Sequence, residues 1–341
     1  MIPPMVRVKS DRRGAAGLEV RELSVEVRRP EGWRHAVRDV SFAIADGERV
    51  ALVGESGSGK SLTAMSLGAL LPTGARVASG HLRFDGHDLR SADVAALRGR
   101  DIAFVFQNPM ASLDPLIRVG AQIEETLEAH AIGDRRSRRR RSVELLERVG
   151  IRDAERRARD FPHQFSGGMR QRVMIAAALA GGPRLLVADE PTTALDVTVQ
   201  AQILTLLRSL SDELGLSLLL ITHDLAVARS VTERAIVMYA GRVLETAPMA
   251  TLLERPHHPY TDALLRLAPD LEGPPELPDP IPGRPIPAWE AGDGCPFAGR
   301  CPYEQPRSRD LPWGLRPVGA THQSACVVPP ADRIASGAPV A

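Results

Sequence analysis

The most specific chemistry in this chain sits in one glycine-rich octad, Gly54-Glu55-Ser56-Gly57-Ser58-Gly59-Lys60-Ser61. It fits the spacing G-x-x-x-x-G-K-[ST], directly follows the apolar run Arg49 to Val53, and opens a helical pattern over Leu62 to Leu71. Glycines at these intervals let backbone amides approach a polyphosphate, and the N-terminus of the helix adds its partial positive charge. Lys60 then reaches the terminal phosphates, and Ser61 suits the shell of a Mg²⁺ ion. Of the 43 basic residues only Lys9 and Lys60 are lysines. A compact ammonium fits this task where a planar guanidinium does not, which explains a lysine kept in an arginine-rich chain. The alternative is a tight glycine turn with no ligand.

Two further stretches carry charge or anion-binding capacity. Leu185-Leu186-Val187-Ala188-Asp189-Glu190 is a buried strand pattern running into two adjacent carboxylates. Such a pair repels itself and loses solvation, so it points to a cation or a proton-transfer role unless it is a solvated strand end. Asp189 suits the Mg²⁺ shell, and Glu190 suits polarising a water for attack on a γ-phosphate. Phe165-Ser166-Gly167-Gly168-Met169 opens a helix over Arg170 to Ala180 and forms a second hydroxyl-and-amide anion site.

The elements that must position these residues alternate in type. Arg49 to Val53, Ile102 to Phe106, Leu185 to Ala188 and Leu216 to Thr222 are strand-length apolar runs, each followed by polar or glycine-rich punctuation. Val197 to Leu214 puts Ile203, Leu206, Leu207, Leu210 and Leu214 on one helical face, with Asp196 as N-cap and Gly215 as stop. The alternation predicts an α/β fold, a sheet covered by helices. Eighteen of the 28 prolines lie after Thr251 and forbid long helices or central strands there, so a boundary is expected near 250.

Composition narrows the class. The 43 basic and 42 acidic residues leave a net charge of +1, with no surplus field for gripping nucleic acid along its length. The apolar run around Leu216 to Ile221 is strand-sized, and no run nears the roughly 18 to 20 residues that span a bilayer. Residues 1–17 mix Pro, Arg and Gly without the apolar centre of a secretion signal, so they read as a disordered tail on a cytoplasmic protein. Arg135 to Arg141 holds six arginines in seven positions. It reads as an exposed cationic helix start answered by Glu144 and Glu147, with a phosphate or lipid-headgroup patch as the alternative.

The loop Phe165 to Met169 resembles the LSGGQ signature of ATP-binding-cassette ATPases, with Phe165 for Leu and Met169 for Gln. The other elements of that family follow in order: Gln107 resembles the Q-loop, Ala194-Leu195-Asp196 the D-loop, and His223 the switch histidine. The resemblance implies a P-loop cassette with a mixed sheet and a helical subdomain over about 108–180, within an ATPase domain over 18–250. It implies ATP as substrate, Mg²⁺ held by Ser61, Gln107 and Asp189, and catalysis by Glu190 with His223 and Gln107. Ser166, Gly167, Gly168 and Asp196 would then act on nucleotide bound to a partner's P-loop, so a dimer with a second ATPase subunit is implied. The aromatic that stacks on adenine in this family is missing from Leu23 to Val27; Val27 stands there, and Trp33 falls in an insertion.

Phe161-Pro162-His163-Gln164, Asn108 to Pro115, Val237 to Gly241 and His258-Pro259-Tyr260-Thr261 resemble the oligopeptide/dipeptide permease ATPases. That resemblance implies an importer with two membrane-spanning subunits, an extracytoplasmic solute-binding protein, and a peripheral place on the cytoplasmic face of the inner membrane. Nickel and glutathione importers share much of the pattern. A cassette ATPase of DNA repair would carry a long coiled-coil insert between Gln107 and Phe165, and a small-molecule kinase would have no use for the Phe165 to Met169 loop. Residues 251–341 resemble the group's C-terminal extension, where four cysteines in some members hold an iron-sulfur cluster. Here Cys295, Cys301 and Cys326 are present, Ser308 stands where the fourth is expected, and His322 is the nearby substitute. Zn²⁺, a cluster with one unusual ligand, and thiols without metal stay open, the last being the expectation.

Overall fold

The computed structural model describes residues 16–107, 112–193, 195–267, 280–310, 314–328, 330 and 333. Of the expected tail over 1–17, only Ala16 and Gly17 are described, and they open the first strand. Asn108 to Ala111, Ala194 and prolines 274, 275 and 278 lie outside the described residues.

Two sheets organise the chain. The first joins β1 (Ala16–Arg29), β2 (Gly32–Ala45), β4 (Ala75–Phe84) and β5 (His87–Asp88), all antiparallel, in the order β2-β1-β4-β5. The second contains β3 (Arg49–Val53), β6 (Ile102–Val105), β7 (Leu185–Asp189), β8 (Ser217–Thr222) and β9 (Arg234–Tyr239) as parallel neighbours. Antiparallel β10 (Arg242–Pro248), β12 (Gln323–Ser324) and β11 (Arg316–Pro317) extend it on the β9 side, giving the order β11-β12-β10-β9-β3-β8-β7-β6.

The parallel strands are apolar between their end residues because both faces are covered. Leu185 and Val187 of β7 join the cluster beneath the antiparallel sheet, whereas Leu186 and Ala188 join the cluster under the helices Val119–Ala129, Arg135–Arg148, Gly167–Leu179 and Val197–Leu214. The period of two thus splits each strand between two cores. On Val197–Leu214, Ile203, Leu204, Leu207 and Leu210 are buried and Leu206 and Leu214 half-buried. Each fully buried aliphatic side chain contributes about 1.5–3 kcal/mol to holding the helix on the sheet. Asp196 caps it by accepting from the Val199 N–H at 2.9 Å, and Gly215 ends it in the left-handed conformation at φ 65°.

One helix differs from the sequence expectation. The stretch assigned to Leu62 to Leu71 is helical only over Lys60–Ser66. Ala69 turns left-handed at φ 51°, and Leu71 precedes a proline, which disfavours the helical conformation.

The proline-rich C-terminal stretch folds back onto the cassette. Glu245 on β10 is fully buried and accepts from the His257 N–H at 2.6 Å, the His258 N–H at 2.8 Å and His322 Nε2 at 2.6 Å. These bonds offset the desolvation of a buried carboxylate. Among the described residues no group of three or more His, Cys, Asp or Glu side chains is arranged to hold a metal ion. Burial pushes the Cys295 thiol up to about 12 and the Cys301 thiol to about 11, so both are protonated at neutral pH. Among the described residues no helix is long and apolar enough to cross a membrane.

Candidate functional site

The octad leaves β3 and enters the Lys60–Ser66 helix as an open turn. Two of its glycines are obligatory. A Cβ on Gly54, at φ 156°, would collide with the Met238 carbonyl, and one on Gly59, at φ 99°, would meet the Ala36 carbonyl at 3.0 Å. Lys60 is buried, with Nζ donating to the Gly54 carbonyl at 2.6 Å and the Glu55 carbonyl at 2.9 Å. Burial holds its pKa below the ordinary lysine value, against the opposing charges of Glu190, Asp189 and Glu55. The ammonium is thus stored against the loop's own carbonyls at the floor of a cavity of about 770 Å³. Ser56, Gly57, Ser61, Gln107 and Glu190 line the same cavity.

β7 ends at Asp189, and the next residue, Glu190, lines this cavity. Burial raises the pKa of Asp189, Ser61 hydrogen-bonds its carboxylate, and the neighbouring Glu190 charge adds to the rise. Its Oδ1 is buried without a hydrogen-bond partner among the described residues. An orphaned carboxylate oxygen beside a serine hydroxyl is a donor set that fits a small hard cation such as Mg²⁺. Glu190 is instead held from three sides. Oε2 accepts from Gln107 Nε2 at 3.1 Å and from Thr193 Oγ1 at 2.8 Å, and Oε1 lies 3.3 Å from His223 Nδ1. Its backbone is left-handed at φ 44°, a conformation costing about 1–3 kcal/mol for a non-glycine residue. The strain turns the carboxylate away from the buried strand and toward the two residues that the Q-loop and switch resemblances singled out.

The Ser166 turn opens a helix as the sequence suggests but stands apart from this cavity. Ser166 caps the Gly167–Leu179 helix by accepting from the Met169 N–H at 3.3 Å. Ser166 and Gly167 are exposed, and a side chain at Gly168 would strike Val199. None of the three lines the cavity above Lys60. Asp196, expected to act beside them, holds the helix cap described above.

Sequence reasoning missed the groups that brace the octad from the C-terminal stretch. Arg300 is buried and pairs with Glu55 through Nη1 to Oε2 at 2.6 Å and Nη2 to Oε1 at 3.1 Å. Tyr260 Oη accepts from the Glu55 N–H at 2.8 Å. Tyr239, Tyr260 and Phe297 pack around this pair, with ring centroids 4.8–5.6 Å apart. No local pattern reveals it, because the partners are separated by 245 residues. His258, in the same stretch, caps the Pro259–Arg266 helix through Nδ1, and burial moves its pKa down to about 3, so it is neutral. Arg300→Ala should destabilise the chain by about 1–3 kcal/mol, because it strands the half-buried Glu55 carboxylate. Arg300→Lys should recover little of that loss, since an ammonium cannot form the two-pronged bond. Urea unfolding of the three proteins measures this, and an unchanged midpoint for Arg300→Ala would dismiss the brace.

Comparison with known proteins places this geometry. Residues 37–193 match the family model described as ABC transporter, and residues 244–307 match the oligopeptide/dipeptide transporter C-terminal region. A Brucella abortus protein named for peptide import and ATP binding is 49% identical over 291 residues, covering 84% of this chain and 88% of its own. The dipeptide transport ATP-binding protein DppD of Escherichia coli is 43% identical over 319 residues, covering 92% of this chain and 96% of its own. Among solved structures, the ATP-binding cassette MJ0796, a dimer in a post-hydrolysis state with ADP and phosphate, superposes with a TM-score of 0.61 at 32% identity. The match covers 68% of this chain and 98% of that one.

Proposed function

The chain belongs to the ABC transporter family, with a C-terminal region of the oligopeptide/dipeptide transporter type, and from that premise we propose that it powers the import of dipeptides or oligopeptides. It is an ABC-type ATPase; the peptide cargo is the inferred part, supported by the C-terminal region and the names of the relatives. The observation that carries the catalytic reading is the Glu190 carboxylate, fixed by Gln107, Thr193 and His223 at the rim of the cavity over Lys60.

In this reading the amides of Gly54 to Ser61 and the Lys60 ammonium hold the triphosphate, and Lys60 exchanges its loop carbonyls for phosphate oxygens. Ser61, Gln107 and Asp189 would hold Mg²⁺, and the ion would supply charge neutralisation for the phosphates. Glu190 orients the attacking water and takes its proton, while His223 and Gln107 keep the carboxylate aimed.

The Ser166 to Gly168 turn and Asp196 act on the nucleotide of a second ATPase subunit, which explains an anion site remote from the chain's own octad. Val197, 83% exposed beside Asp196, lies on that dimer face, and Leu116, 84% exposed, lies on the face toward two membrane-spanning subunits. An extracytoplasmic solute-binding protein delivers the cargo, and the chain works at the cytoplasmic face of the inner membrane.

Two measurements test the assembly. The isolated chain should hydrolyse ATP weakly, with specific activity rising with protein concentration, because each site lacks a partner's Ser166 to Gly168 turn. Full activity independent of concentration would refute a shared site. In the reconstituted complex, a peptide-loaded binding protein should stimulate hydrolysis; stimulation by nickel or glutathione instead would reassign the cargo.

A further inference from the structure

The cavity above Lys60 continues past the octad to Val27 and Arg29 of β1, and it ends against the segment Pro285 to Trp289 from the C-terminal stretch. Among the described residues Trp289 is the one aromatic side chain lining it, and it is 38% exposed. The guanidinium of Arg29 lies over its ring, 4.0 Å from the centroid. Trp33, the other aromatic near this end of β1, is covered by Arg76 at 4.1 Å and does not line the cavity.

The backbone around Trp289 is anchored on both sides. Ala288 is buried so closely against Gly241 that a Cβ on that glycine would meet it at 2.8 Å. The Ala291 carbonyl accepts from Arg38 Nη1 at 3.3 Å, and the Glu290 N–H donates to the Pro287 carbonyl at 3.0 Å. Pro285 and Pro287 further restrict the chain that leads in. A tryptophan fixed in this way, partly exposed at the wall of the cavity and capped by a planar cation, offers a π-face that a planar heterocycle can take over.

We propose that Trp289, supplied by the C-terminal stretch, is the stacking platform for the nucleobase of the nucleotide held on Gly54 to Ser61. The base takes the place now held by the Arg29 guanidinium, with Val27 at its edge. This rests on the reading of the octad as the nucleotide site, and it makes the C-terminal stretch part of that site. Base recognition and cargo-type extension are then coupled in one chain.

Calorimetric titration of the full-length chain with ATP and with inorganic tripolyphosphate, which lacks a base, tests the assignment. Trp289→Ala should weaken ATP about tenfold, a typical loss for a base–aromatic stack, and leave tripolyphosphate affinity unchanged. Trp289→Phe should bind ATP nearly as well as the parent. An unchanged ATP affinity in Trp289→Ala would overturn the proposal, and so would an equal loss for ATP and tripolyphosphate, which would mean that the residue only supports the loop. Failure of the parent to bind either ligand would instead overturn the reading of the octad, and the stacking assignment with it.

Discussion

Glu190→Gln is expected to bind MgATP at least as tightly as the parent while releasing phosphate about 10² to 10⁴ times more slowly, the usual loss when a positioned general base is removed. The substitution is isosteric, so the left-handed turn at residue 190 and the packing of β7 are retained. Lys60 and the octad amides are untouched. The charge that Glu190 places beside Asp189 disappears, which removes one cause of that carboxylate's raised pKa. What is lost is the acceptor held between Gln107, Thr193 and His223. An amide cannot take a proton from the attacking water, so nucleotide should accumulate unhydrolysed in a closed dimer. Single-turnover phosphate release from the reconstituted complex, with nucleotide affinity measured in parallel, reads both halves of the expectation. Phosphate release at the parental rate would remove Glu190 from the role of base.

The parts of this site that are local in the chain were legible in the sequence. The octad, the β7 carboxylates and the Ser166 turn each consist of residues within a few positions, and their spacing encodes strand, turn and helix start directly. The helix Val197–Leu214 was equally readable, because its cap, its apolar face and its terminal glycine all agree. Gln107 and His223 were ordered by family resemblance and Thr193 was not foreseen; nothing in the sequence fixes their convergence on one carboxylate, which depends on β6, β7 and β8 lying side by side. The C-terminal contributions were opaque for a plainer reason. Arg300 and Trp289 sit in single 3₁₀ turns of a proline-rich stretch, too short for period or propensity to say which way a side chain points, and their partners lie in the first third of the chain. His322 shows the converse. As a residue type near three cysteines it was noticed in the sequence, but its partner Glu245, a buried carboxylate that β10 places beside it, was not.

Lys60 carries the second large expectation, in which function and stability move in opposite directions. Lys60→Met should lower ATP affinity by roughly 10- to 150-fold, from the 1.5–3 kcal/mol typical of a hydrogen bond to a charged group. Lys60→Arg should not restore it, because a planar fork cannot enter the space between the Gly54 and Glu55 carbonyls. Without nucleotide, the same Met substitution should raise resistance to urea at pH 7. Burial depresses the pKa of Lys60 in the folded chain despite the nearby carboxylates, so folding works against the protonated ammonium. That cost is fully present at pH values below the folded pKa. It is relieved as pH rises through the folded pKa toward the ordinary lysine value, since the unfolded chain then binds more protons than the folded one. Parental stability should therefore climb with pH over that alkaline window, and the Met variant should lack this component. A Met variant less stable than the parent at pH 7 would show that Lys60 holds the loop together rather than being held against its own preference for water. The strain would then have to be sought at Glu190 alone. If the expectation holds, the octad keeps a destabilising buried charge whose return comes only when phosphate oxygens replace the loop carbonyls around it.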